Sequence, residues 1–124
     1  MKLEVATRLH DARMAAQEIV DLSDGVSQEA FDQNRLLRLS VWKLLEIVGE
    51  ALRQAEVLEP SLVHSIPDLR KIIDTRNRIT HGYDSIDFDL ILIIAQDEVP
   101  RLVDHLTVAL QNAPVTEPGN WAGA

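Results

Sequence analysis

Leu37-Arg38-Leu39-Ser40-Val41-Trp42-Lys43-Leu44-Leu45-Glu46-Ile47-Val48-Gly49-Glu50-Ala51-Leu52-Arg53-Gln54-Ala55 returns to an apolar side chain at 37, 41, 44, 48, 52 and 55. Steps of four and three follow the 3.6-residue turn of a helix, and they do not fit the two-residue alternation of a strand. A long amphipathic helix is therefore expected here. Upstream, Val5, Leu9, Ala12, Ala16 and Ile19 keep the same rhythm, so a first long helix precedes it, with Ser23-Asp24-Gly25 between the two. Ser27 is placed to cap the second helix, and Pro60 lies just past its end. Downstream, a short piece over residues 61–66 leads to Pro67 and Asp68, which suit the first turn of another helix; Leu69, Ile72, Ile73 and Ile79 continue it until Gly82 offers a stop. Asp87 can then cap a last helix running to about Gln111, with a kink at Pro100. With no strand-like alternation anywhere, the economical fold is all-α: an antiparallel helical bundle of four main helices plus a short one over residues 1–113, followed by a flexible tail over 114–124.

Composition narrows the class. A chain of 124 residues can bury one core and little more. It has no cysteine, which removes disulfides, cysteine metal sites and a thiol nucleophile from consideration. The N-terminus Met1-Lys2-Leu3-Glu4 leads into no apolar signal core, and the longest apolar run, residues 90–95, is far too short to span a bilayer, so a cytoplasmic protein with no membrane association is expected. That run is apolar around its whole circumference, and either a neighbouring helix or a second subunit must cover its far side. Net charge is −8, from 12 basic and 20 acidic residues, which disfavours long-range attraction to nucleic acid.

Against that background, Arg76-Asn77-Arg78-Ile79-Thr80-His81-Gly82-Tyr83 gathers a permanent cation, an amide, an imidazole and a phenol in eight residues. Arg grips phosphate oxygens at any physiological pH, and His moves protons near neutrality. On one continuous helix Arg76 and His81 would point about 140° apart, so they converge only if the helix stops near Thr80 or Gly82. A plainer reading makes Arg and His partners of the helix C-terminal dipole, with Tyr83 packed on the next element. Between Asp68 and Tyr83 the local balance is four cations (Arg70, Lys71, Arg76, Arg78) to two acids, a positive island able to hold one or two phosphates of a single strand. Other groups carry less. His10, His64 and His105 lack a second ligand at helical spacing; Asp87 and Asp89 suit capping better than cation binding; Glu46 and Glu50, one turn apart, suit a solvated face or a partner for a motif arginine.

The run Ile66-Pro67-Asp68-Leu69-Arg70 through Tyr83, continued by Asp87-Phe88-Asp89-Leu90-Ile91 and Val99-Pro100-Arg101-Leu102, resembles the HepT toxin family of the HEPN superfamily, as does Ile47-Val48-Gly49-Glu50-Ala51 upstream. The family's pattern of Arg, four residues, His, one residue, Tyr is met by Arg76, His81 and Tyr83. The resemblance implies a HEPN-like bundle, a two-fold homodimer with the motif near the interface, and a metal-independent endoribonuclease without cofactor. In that reading His81 is the general base, Arg76 steadies the phosphate, Asn77 orients one of them, and Arg78, Arg70 and Lys71 bind RNA phosphate. The implied partner is an MNT-type nucleotidyltransferase antitoxin that attaches AMP to Tyr83. The alternative is a non-catalytic HEPN helical protein that binds nucleotide or docks on a nucleotidyltransferase.

Overall fold

The computed structural model describes residues 1–81 and 85–112, and for His81 its backbone alone. Gly82, Tyr83 and Asp84, and the expected tail from residue 114, lie outside the described residues. Three long helical rods form an antiparallel bundle: α1 (Leu3–Ser23), α3 (Arg35–Leu58), and a third rod made of α7 (Phe88–Ile93), a π-helical turn (Ile94–Glu98) and α8 (Val99–Asn112). The short helices α2 (Gln28–Gln33), α4 (Leu62–Ser65), α5 (Leu69–Ile73) and α6 (Thr75–Ile79) connect them. Helix α1 packs against both α3 and α8, while α5 and α6 lie on α3. The five positions read from the period of α1, Val5, Leu9, Ala12, Ala16 and Ile19, are completely buried. In α3, Val41, Val48, Leu52 and Ala55 are buried as expected, and Leu45 joins them while Leu37 and Leu44 sit at the margin.

Local chemistry explains where the elements differ from the sequence reading. Ser27 does cap a helix, accepting from the Ala30 amide at 3.1 Å, but that helix is the short α2, whose Phe31 is fully buried. The chain leaves helical geometry at Asn34, whose side chain accepts from the Leu37 amide at 3.0 Å and so starts α3 afresh. Arg38 straps the corner by donating to the carbonyls of Phe31 and Asp32, and lies 5.5 Å above the Phe88 ring, which Trp42 meets edge-on. The long motif helix is instead two short ones. Pro67 precedes them, Asp68 holds a left-handed φ of 61°, and Asp74 breaks the run in the middle.

The third rod begins where expected, with Asp87 accepting from the Leu90 amide at 2.9 Å. The disturbance attributed to Pro100 appears one turn earlier, where the Val99 amide reaches back five residues to Ile94. Proline has no amide for the Gln96 carbonyl and crowds it, so widening the turn ahead of it relieves the ladder. In the apolar run over residues 90–95, Ile91, Leu92, Ile94 and Ala95 are buried within the chain and Ile93 is left 51% exposed. Among the described residues no helix is long and apolar enough to cross a membrane.

Candidate active site

Helix α6 distributes its five residues by direction. Thr75 and Ile79, one turn apart, are buried and pin the helix to the core. Arg76 and Asn77 face outward, and Arg78 turns sideways to Glu98 of the π-helical turn. The break that makes this possible is Asp74. Its carbonyl accepts from the amides of Asn77 and Arg78, and its carboxylate accepts from the Asn77 amide group at 2.7 Å. Asn77 is thereby fixed at the start of the helix.

The helix stops at Ile79 and Thr80 becomes extended. This is the early stop that the Arg76 and His81 pairing requires. Thr80 pairs with Ile86 and His81 with Ser85, in a two-residue antiparallel ladder of β1 (Thr80–His81) and β2 (Ser85–Ile86). The Asp87 amide donates to the Ile79 carbonyl at 2.7 Å, and the Thr80 hydroxyl donates to the Arg76 carbonyl at 2.9 Å. The backbone that carries His81 is thus tied at both ends, directly after the helix that carries Arg76. Tyr83 falls in the three residues outside the described ones.

The positive island has a different internal wiring from the one its sequence suggests. Arg78 makes a two-pronged pair with Glu98, at 2.9 and 2.7 Å, and Lys71 approaches the same carboxylate at 3.7 Å. Arg70 meets Glu56 at 3.1 Å. The hydrogen bonds from Arg78 hold the Glu98 carboxyl below the usual carboxylate range, and burial works against them; Glu98 in turn raises Arg78. The Arg76 guanidinium has neither hydrogen bond nor ion pair with any described residue, and its planar fork suits a phosphate.

Arg76 and Asn77 line a cleft of about 800 Å³ between α6 and a ridge of α3 that carries Lys43, Glu46, Glu50 and Arg53. Glu50 accepts two bonds from Arg53, at 3.0 and 2.6 Å, and one from Gln54 at 3.1 Å, which lowers its pKa to about 2. Neither Glu46 nor Glu50 pairs with a motif arginine; their partners Lys43 and Arg53 lie on the same helix. Gly49 sits between them at the point where α3 meets α5, and a Cβ there would lie 3.7 Å from the Ile73 carbonyl. Glu98 was not legible as a site residue, because it is 20 positions from Arg78 and no periodicity joins them. Among the described residues no group of three or more His, Cys, Asp or Glu could hold a metal.

A family model described as ribonuclease HepT-like matches residues 12–109. The chain belongs to that family. Similar proteins come from Methanocaldococcus jannaschii. The one named "Putative RNase MJ1380" is 26% identical over 109 residues, covering 86% of this chain and 97% of its own. The one named "Putative RNase MJ0125" is 22% identical over 101 residues, covering 82% and 86%. No solved structure matches this HepT-like chain significantly.

Proposed function

We propose that the protein is a metal-independent endoribonuclease. A ribose 2′-OH of the RNA attacks the adjacent phosphorus, the bond to the 5′-oxygen breaks, and a 2′,3′-cyclic phosphate and a 5′-OH result. His81 takes the 2′-OH proton, and the departing 5′-oxygen takes a proton from solvent water. Arg76 stabilises the charge on the phosphoryl oxygens, and Asn77, held by Asp74, orients the phosphate or the imidazole. The nucleophile belongs to the substrate, so the protein has only to place, polarise and exchange protons. The observation that carries the reading is Arg76 in a cleft, its guanidinium without a partner among the described residues, on a helix that ends just before His81, in a chain of the ribonuclease HepT-like family. Arg70 and Lys71, both exposed, remain additional phosphate contacts, whereas Arg78 is better cast as the brace of α6.

The test is cleavage of a mixed-sequence RNA in EDTA by wild type and His81→Ala. A loss of about 10²- to 10⁴-fold is expected on removing a general base, with an unchanged helical circular dichroism spectrum. Equal rates would dismiss His81, and loss of wild-type activity in EDTA would dismiss the metal-free route.

Biologically, the reading is the toxin of a toxin–antitoxin pair acting as a homodimer. Its antitoxin is an MNT-type nucleotidyltransferase that silences it by placing AMP on Tyr83, so that Arg76 pairs with the added phosphate instead of substrate. The exposed Ile93, beside the buried Ile91 and Leu92 of α7, supports a second chain there. Incubation with such a transferase and ATP should add one AMP mass per chain to wild type and none to Tyr83→Phe. Light scattering should give the mass of a dimer.

A second reading is favoured by the charge. At −8 overall, with three of the four island cations already facing acids, the chain also suits a non-catalytic module that binds a nucleotide or docks on the transferase. Wild-type protein that binds nucleotide but leaves every RNA intact would select it.

A further inference from the structure

The cleft beside Arg76 is larger than a phosphate needs, and its chemistry changes along its length. Its lining mixes four cations, Arg8, Lys43, Arg53 and Arg76, with four carboxylates, Asp11, Glu46, Glu50 and Asp74. Lys43 and Arg53 face Glu46 and Glu50, whereas the Arg76 guanidinium has no partner among the described residues; an anion held by Arg76 leaves the carboxylates to a group that offers hydrogen-bond donors.

The carboxylates are not equivalent. Both oxygens of Glu50 are engaged by Arg53 and Gln54. Glu46 has only Lys43 near it, at 3.9 Å, and that lysine is 71% exposed. A pair so loose and wet is displaced at little cost. Glu46 is also one-third exposed, held on a rigid long helix, and accompanied in the cleft by the exposed, apolar Ile47.

We infer that this cleft is a nucleobase subsite in which Glu46 reads the Watson–Crick edge of a guanine whose phosphate is held by Arg76. Guanine sets two adjacent N–H donors, on N1 and N2, opposite the two oxygens of one carboxylate. Uracil offers one donor between two carbonyls, and adenine and cytosine one amino group beside a bare ring nitrogen. Each of these turns an acceptor toward the Glu46 carboxylate, leaving an unpaired and repulsive contact. Base edges are read in this way in single-stranded RNA, where they are free of pairing. The assignment of the phosphate end rests on the ribonuclease reading above; the base preference can be measured without turnover.

The experiment is therefore equilibrium binding of guanosine 3′-monophosphate and uridine 3′-monophosphate to the full chain, by calorimetry, with wild type, Glu46→Gln and Arg76→Ala. Expected is at least tenfold tighter binding of the guanosine nucleotide by wild type, a ratio near one in Glu46→Gln, and a similar weakening of both nucleotides in Arg76→Ala. A wild-type ratio near one, or a guanosine preference that survives Glu46→Gln, overturns the subsite. Cleavage of an RNA containing guanosine, run in parallel, separates the two readings. Guanosine-selective binding without cleavage removes the nuclease and keeps the subsite. Cleavage without base selectivity in binding does the reverse.

Discussion

At 21% and 10% side-chain exposure, Arg78 and Glu98 have little water around them and depend on each other for solvation. The pair joins α6 to the third rod, so the direction in which Arg76 points is set by a contact two positions away. Glu98→Ala removes the carboxylate shared by Arg78 and Lys71 and is expected to cost about 3 kcal/mol. Glu98→Gln keeps an acceptor and should cost about 1 to 2 kcal/mol. The pH dependence has a definite sign. The folded-state pKa of Glu98 lies below its ordinary 4.5, so its contribution is complete above that value and fades as pH falls through the depressed one. Urea unfolding at pH 7 and pH 3 should show wild type ahead of Glu98→Gln at pH 7 and the gap closing at pH 3. A gap that stays constant with pH would show that the charge on Glu98 contributes nothing. None of this was available from sequence. The motif reading found Arg76, Asn77 and Arg78 as residue types, but three-dimensional partners 14 to 27 positions apart in the chain, Glu56 with Arg70 and Glu98 with Arg78 and Lys71, leave no spacing signature.

Elements were legible in proportion to their length. The rods α1 and α3 repeat their apolar step over five or six turns, and the buried positions of α1 fall where the period puts them. Short elements carry too few repeats to show a period. Even so, the break at Asp74 had a sign: between Ile73 and Ile79 a continuous helix should turn another large apolar residue inward, and the buried side chain there is the polar Thr75. The π-helical turn had only Pro100 as its sign, and its product is geometric. It lets Gln96 donate to the carbonyls of Ser23 and Val26, at 2.9 and 2.7 Å, while Glu98 reaches α6, so one turn of the third rod holds both the α1–α2 corner and the site. On α3, Gly49 gives a test of how closely the cleft wall must approach α5. Its added Cβ would meet the Ile73 carbonyl at an ordinary 3.7 Å, so Gly49→Ala should fit and gain helix propensity of about 1 kcal/mol. The unfolding temperature should rise by about 4 °C for a domain of this size. A fall would mean that α5 sits against α3 without room for a methyl group.

For the whole molecule the governing quantity is charge. A body at −8 repels RNA at long range, so affinity must come from short-range contacts within a Debye length of about 8 Å. The structure sharpens this, because Arg78 is committed to Glu98, and Arg70 and Lys71 each face an acid, leaving Arg76 as the island cation with no partner among the described residues. Binding that rests on one or two phosphates has a shallow salt dependence. Each phosphate neutralised on a single strand contributes about −0.7 to the slope of log K against log salt, so a slope of about −0.7 to −1.4 is expected per site. An extended basic track would give several times that. Titrating a fluorescent single-stranded RNA between about 50 and 300 mM salt measures the slope directly, and Arg76→Ala should make it shallower by about 0.7. A slope steeper than about −3 in wild type would show that other cations share the RNA, and the guanidinium of Arg76 would lose its claim to be the principal phosphate contact. If the slope is shallow and Arg76→Ala leaves it unchanged, the phosphate sits elsewhere and the cleft on α3 has to be read without it.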